Sequence, residues 1–150
     1  MPFRYRTLTL IAWATFVASW FLPTVHVKPG GLFGDINAGW KAFMLALSMA
    51  LKPDRFDWFW GLCIAGVLGN VPVLLTPWLF RRSGQSSESV PPGAVPSWLV
   101  AALAAALVAN LAWILVMSDT VLLVGYWLWI GSIGALAVVA FLNHRRTQPS

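Results

Sequence analysis

Four stretches of this chain run for a membrane's width, or close to it, without one charged residue: 7–22, 58–80, 98–117 and 121–142. A helix rises about 1.5 Å per residue and a hydrocarbon core is about 30 Å thick, so about 20 apolar residues cross it. The last three stretches meet that length, whereas the first, closed by Pro23, falls short of it. In lipid every backbone N–H and C=O must find an internal partner, which leaves helices or a closed barrel. No stretch alternates apolar and polar residues with the period of two that a barrel strand requires. Composition agrees: 10% of the 150 residues are charged and mean hydropathy is +0.73, where a soluble domain carries about 25% charged residues. The expected fold is an all-α membrane protein, with 1–150 as one domain. Its four transmembrane helices form an antiparallel bundle, and a short interfacial amphipathic helix lies between helices one and two.

The first stretch has two readings. Arg4 and Arg6 precede it and Val17-Ala18-Ser19 offers a small-residue cleavage pattern, as in a cleaved signal peptide. Trp20, Phe21 and Leu22 continue the apolar run past that cut, as in a retained helix. Orientation follows from the short loops. With both termini in the cytosol, Arg4, Arg6, Arg81, Arg82, Arg145 and Arg146 lie inside, against Lys28, Lys41, Lys52 and Arg55 outside. The bias favours both termini in the cytosol and a multi-pass protein of the bacterial inner membrane. The net charge of +5 therefore reads as membrane topology, and nucleic acid is not an expected partner.

Residue types that cap helices stand at the boundaries: Asp57 before the second run, Ser97 before the third, Ser118-Asp119-Thr120 before the fourth. The stretch 83–96 is polar and proline-bearing and reads as a flexible cytosolic linker. The region 23–57 lies outside the membrane. It opens with an irregular glycine-rich piece, 29–34, followed by a helical segment at about 40–51. Trp40, Phe43, Met44, Leu47 and Leu51 recur at helical spacing on one face, and Lys41 and Lys52 flank the segment. It is too short to span and is expected to lie at the interface or against the helices.

Chemistry is sparse. His26 and His144 fall on opposite sides of the bilayer and cannot share a metal, and Cys63 is the single cysteine. No carboxylate falls in mid-membrane, where a proton relay would need one. Phosphate loops, dinucleotide fingerprints and nucleophile elbows are absent. No catalytic residue, metal ligand or cofactor is expected, and the chain reads as non-enzymatic.

The polar groups inside the membrane are the amides of Asn70 and Asn110. Ala102, Ala106 and Asn110 form a small-residue stripe, and Asn70 follows Gly66. Both amides are expected to serve helix packing. Pro72 deprives the Leu68 carbonyl of its helical partner. A kink at 69–72 packed on 106–110 is expected, with the Asn110 amide answering that carbonyl. Ten tryptophans mark the rest of the chain. Trp20, Trp40, Trp58 and Trp60 read as an outer aromatic belt and Trp78 and Trp98 as an inner one. Asn110, Trp113, Asp119, Tyr126, Trp127 and Trp129 could line an outward-facing pocket for a flat or lipid-like molecule.

Phe21-Leu22-Pro23, then Gly39-Trp40-Lys41-Ala42-Phe43, then Gly125-Tyr126-Trp127-Leu128-Trp129 resemble the pattern of uncharacterised small bacterial four-helix integral membrane proteins. The Leu68-Gly69-Asn70-Val71-Pro72 stretch is similar to their break in helix two, although Val71 here separates Asn70 from Pro72. Trp127 stands where their last signature has a second tyrosine. The resemblance implies the four-helix topology and an inner-membrane home, and brings no activity with it. Two functions are therefore expected. One is an accessory, assembly or structural subunit that contacts a membrane-protein partner, or a second copy, through 23–57. The other is a lipid or small-molecule binding or transport protein using the aromatic pocket. The lipid bilayer is a partner in both.

Overall fold

The computed structural model describes residues 3–27, 38–52, 57–82, 95–116 and 120–147. The elements are α1 (Phe3–Ser19), β1 (Val25–Val27), α2 (Gly39–Ala50), α3 (Trp58–Arg82), α4 (Ser97–Val116), β2 (Thr120–Leu122) and α5 (Val124–Thr147). Three helices are long and apolar enough to cross a membrane, over Trp58–Phe80, Ser97–Leu115 and Val124–Arg146. The chain is an all-α protein with three candidate spans. The glycine-rich piece 29–34, residues 83–94 of the linker and Asp119 lie outside the described residues.

The long helices pack in antiparallel pairs. α1 lies along α5, α5 along α4, and α4 along α3. At one end the Arg146 guanidinium sits 4.9 Å from the centre of the Tyr5 ring, and at the other the Gly125 N–H bonds the Pro23 carbonyl at 2.9 Å. α1 also meets α3, where Trp13 Nε1–H donates to the Leu74 carbonyl. The core between these helices is built from Phe16, Val73, Leu99, Leu103, Ile133 and Leu136, all fully buried or nearly so. α3 and α4 close on each other at Gly69, where an added methyl group would come within 3.2 Å of the Ala106 backbone. That is the contact expected of the Gly69–Pro72 region, and α3 continues as helix through both Pro72 and Pro77.

Several sequence expectations shift. The first helix covers Phe3–Ser19 rather than 7–22, because the chain turns at Trp20–Leu22, before Pro23. The last begins at Val124 rather than 121 and continues to Thr147, because 120–122 is drawn into a strand. That strand pairs antiparallel with β1 in the register Val25↔Leu122, His26↔Val121 and Val27↔Thr120. The α4–α5 connection therefore includes a strand, Thr120–Leu122. Three residues alone are too short to announce a strand, and their partner lies far away in sequence.

Caps divide in the same way. Asp57 does cap α3, its carboxylate accepting from the Trp60 N–H at 2.8 Å. Of the residues expected to cap the last helix, Ser118 and Asp119 lie outside the described residues and Thr120 belongs to β2, ahead of the start of α5. Its free N–H at Gly125 is answered by the Pro23 carbonyl, delivered by the strand pairing.

Candidate functional site

The segment that leaves α1 joins two other helices through their first turns. Its carbonyls at Trp20 and Leu22 accept from Trp40 and Gly39 at the start of α2. Its carbonyls at Pro23 and Thr24 accept from Gly125 and Leu123 at the start of α5. Helix N-termini carry N–H groups without helical partners, and here backbone oxygens supply what capping side chains would otherwise provide. The approach is close enough to require glycine. A methyl group on Gly125 would lie 2.7 Å from the Pro23 oxygen, and one on Gly39 would lie 3.0 Å from the Ser19 oxygen. The stretches Phe21-Leu22-Pro23, Gly39-Trp40 and Gly125-Tyr126 meet at this junction.

Beside the junction is a cavity of about 80 Å³. A single water needs roughly 10–15 Å³, so the space holds several waters or a stretch of hydrocarbon. α2 closes one side with Ala42, Phe43, Leu45, Ala46 and Met49. α3 presents Phe59, Cys63, Gly66 and Asn70, at the i, i+4, i+7 and i+11 spacing of one helical face. Asn110 and Trp113 come from α4, Tyr126 and Trp129 from α5, and Thr24 and Val25 from the junction itself. The wall carries no formal charge.

The hollow has a sequence origin. Ala42 and Ala46, one turn apart, present only methyl groups where larger side chains would fill the space. Gly66 lets the Trp113 ring lie across α3, since a methyl group there would come within 3.1 Å of Nε1. The face of α2 that the apolar spacing singles out is not the inward one. Trp40, Met44 and Leu51 are exposed, while Phe43 alone of that set reaches the cavity. Lys41 and Ser48, seven residues apart and both exposed, mark the outward side of α2, opposite the cavity-lining Ala42, Ala46 and Met49.

Polar groups gather on the helical side of the cavity. Asn70 is buried; its Nδ2 donates to the Gly66 carbonyl at 2.7 Å and its Oδ1 accepts from Trp129 Nε1 at 3.2 Å. Asn110, also buried, donates through Nδ2 to the Ala106 carbonyl at 2.8 Å. Its backbone carbonyl accepts from the Tyr126 hydroxyl at 2.5 Å. The expected bond from the Asn110 amide to the Leu68 carbonyl is not made, because that amide turns back along its own helix. The links between helices run instead through Trp129 to Asn70, from α5 to α3, and through Tyr126 to the Asn110 backbone, from α5 to α4.

Of the six residues the sequence grouped as a pocket, Asn110, Trp113, Tyr126 and Trp129 come together on this cavity. Trp127 does not; it is 54% exposed and its helical position turns it outward. Asp119 lies outside the described residues. Trp20 is drawn from the expected interfacial belt into the core, where its ring stacks on Phe43 at 5.0 Å and lies 6.0 Å from Trp129. Trp60 instead latches α3 to α2, donating to the Ala50 carbonyl.

The walls supplied by Thr24, Val25, Cys63, Gly66 and α2 were missed by the sequence reading. The Ala42–Ala46 and Phe59–Cys63–Gly66–Asn70 spacings are the signals for the α2 and α3 walls, and Thr24 and Val25 carry no such signal. Two buried polar atoms have no hydrogen-bond partner among the described residues: Thr24 Oγ1 and Trp20 Nε1.

The remaining reactive side chains stand apart. Cys63 is a free, buried thiol in the cavity wall. His26 is exposed on β1, and His144 Nδ1 lies 2.8 Å from the Val95 carbonyl near the other end of the helices. Among the described residues, no three of His, Cys, Asp and Glu come together as metal ligands.

No protein-family model, curated protein or solved structure matches this chain. Function must be read from the geometry alone.

Proposed function

We propose that this chain is a membrane protein that binds an apolar small molecule or a lipid chain in the cavity beneath α2. The observation that carries this reading is the cavity itself: an uncharged, largely aromatic and aliphatic wall with a few hydrogen-bonding groups collected on one side. Ligand sites typically combine an apolar lining with a few placed polar groups, and an apolar hollow is poorly suited to water. α1 serves in this reading as a fourth span. At 17 residues it is about 26 Å long, just short of the hydrocarbon core, and it turns Leu8, Leu10 and Ile11 outward. Together the four long helices make an antiparallel bundle in a bacterial inner membrane, with both termini in the cytosol.

The accessory-subunit reading keeps one supporting observation. The outer side of α2 exposes Trp40, Met44 and Leu51, an apolar strip suited to an interface, a partner or a second copy. The rest of 23–57 that is described is engaged in the fold, through β1 and the α2 junction, which weighs toward the cavity as the working part.

Native mass spectrometry of the protein released gently from its own membrane tests the reading. The expected result is an apolar adduct that survives release and disappears in Ala46→Trp, whose indole would fill the hollow. Adduct-free protein, or an adduct indifferent to Ala46→Trp, would overturn it.

A further inference from the structure

Thr24 is a wall residue whose buried side-chain oxygen is left without a partner among the described residues. It is 1% exposed, it lines the cavity, and its hydroxyl has no hydrogen-bond partner among the described residues. Its methyl is turned toward the glycines of the junction, 2.9 Å from where a methyl group on Gly125 would lie and 3.2 Å from the same point on Gly39. The methyl is thus accounted for by packing, and the hydroxyl is not. Buried hydroxyls are almost always paired, and one that is not calls for an explanation. Trp20 Nε1, a donor with no accepting capacity, is unpartnered four residues earlier, on a ring stacked against the cavity-lining Phe43.

Resting on the binding function proposed above, we infer that the ligand carries an uncharged hydrogen-bond-accepting oxygen, a carbonyl, ester or hydroxyl, which takes the Thr24 Oγ1–H. Its apolar remainder lies along Phe43, Met49, Phe59 and Trp113. Charge on the ligand is disfavoured because no wall residue offers a counter-charge, and an isolated ion in such a setting is heavily penalised. Asn70 and Tyr126 are already engaged with the protein, so they hold the wall together while Thr24 meets the ligand. The same oxygen chemistry occurs at the ester of a bilayer phospholipid and in a free neutral amphiphile.

The test is photolabelling of the full chain in lipid nanodiscs with diazirine probes of equal chain length. One ends in a methyl ketone, a second is a plain hydrocarbon, and a third is a phospholipid with the diazirine in its acyl chain. The ketone should label cavity-wall peptides of α2 and α3 roughly five-fold more strongly than the hydrocarbon, as one neutral hydrogen bond provides. Thr24→Val, which keeps the shape and the packed methyl, should remove that advantage. Thr24→Ser, which keeps the hydroxyl, should retain it. Wall labelling by the phospholipid with the same Thr24→Val sensitivity identifies the bilayer ester as the source; its absence leaves the free amphiphile, and either outcome upholds the inference. Equal labelling by ketone and hydrocarbon, unchanged in Thr24→Val, overturns the role of Thr24 while leaving the cavity a binding site. No wall labelling by any probe removes the binding function and this inference with it.

Discussion

At the scale of single residues, the two buried amides that the sequence marks as helix glue do unequal work. Asn70 reaches another helix, because its Oδ1 accepts from Trp129. The Asn110 side chain bonds only within α4, and the residue that ties α5 to that point is Tyr126. Tyr126→Phe should therefore lower stability in detergent by about 0.6–1.7 kcal/mol, the range of hydrogen bonds between membrane helices. Asn110→Leu should cost less, since it removes no link between helices. Thermal unfolding followed by circular dichroism compares the two, and a larger loss in Asn110→Leu would reverse the assignment. An amide in an apolar run announces a polar interior from sequence. Its partner cannot be read there, because a turn of the side chain exchanges a neighbouring helix for its own backbone.

Among the elements, the long helices were legible because a charge-free run of membrane length has few alternatives. The second and third runs agree with α3 and α4 to within a few residues. The β1–β2 pair was illegible. Each strand is three residues long, they are separated by most of the chain, and their stability comes from the pairing and not from local preference. The same pairing explains why Gly125 starts α5 against the Pro23 carbonyl instead of behind a capping side chain.

The register is open to direct test. His26 and Val121 stand opposite each other and both are exposed. Directly paired strand residues have Cα atoms about 5.5 Å apart, within the range a disulfide bridges. The double variant His26→Cys, Val121→Cys in a Cys63→Ala background should cross-link under mild oxidation, seen as a mobility shift reversed by reductant. A pair displaced by one position, His26→Cys with Leu122→Cys, should cross-link poorly. Equal yields from the two pairs would contradict the register.

For the whole molecule, the cavity follows from how the helices are assembled more than from any one of them. The sequence pointed to Asn110, Trp113, Tyr126 and Trp129, which do gather. The sign of the roof, the Ala42–Ala46 spacing, reads as that of ordinary helix formers until α2 is laid over α3. Trp127 was grouped with them by its neighbours in sequence, but one step along a helix is about 100°, enough to turn it outward. The orientation carries its own expectation. With both termini in the cytosol, Gly31→Cys in a Cys63→Ala background should react with a membrane-impermeant maleimide on intact cells, and Val90→Cys should react only after permeabilisation. The opposite pattern would invert the topology.

The proposed binding function requires that the space under α2 be occupied by apolar matter. Nuclear Overhauser measurements on the protein in perdeuterated nanodiscs carrying protonated acyl chains address this directly. Surface side chains such as Val108 and Leu115, both well exposed on α4, will contact chain methylenes in any case. The decisive protons are interior: the side-chain amides of Asn70 and Asn110, the indole N–H of Trp129 and the β-protons of Cys63. Cross-peaks from these to methylene protons are the predicted result, and they should vanish in Ala46→Trp. Cross-peaks from the interior groups to water alone, with the exterior contacts intact, would contradict it.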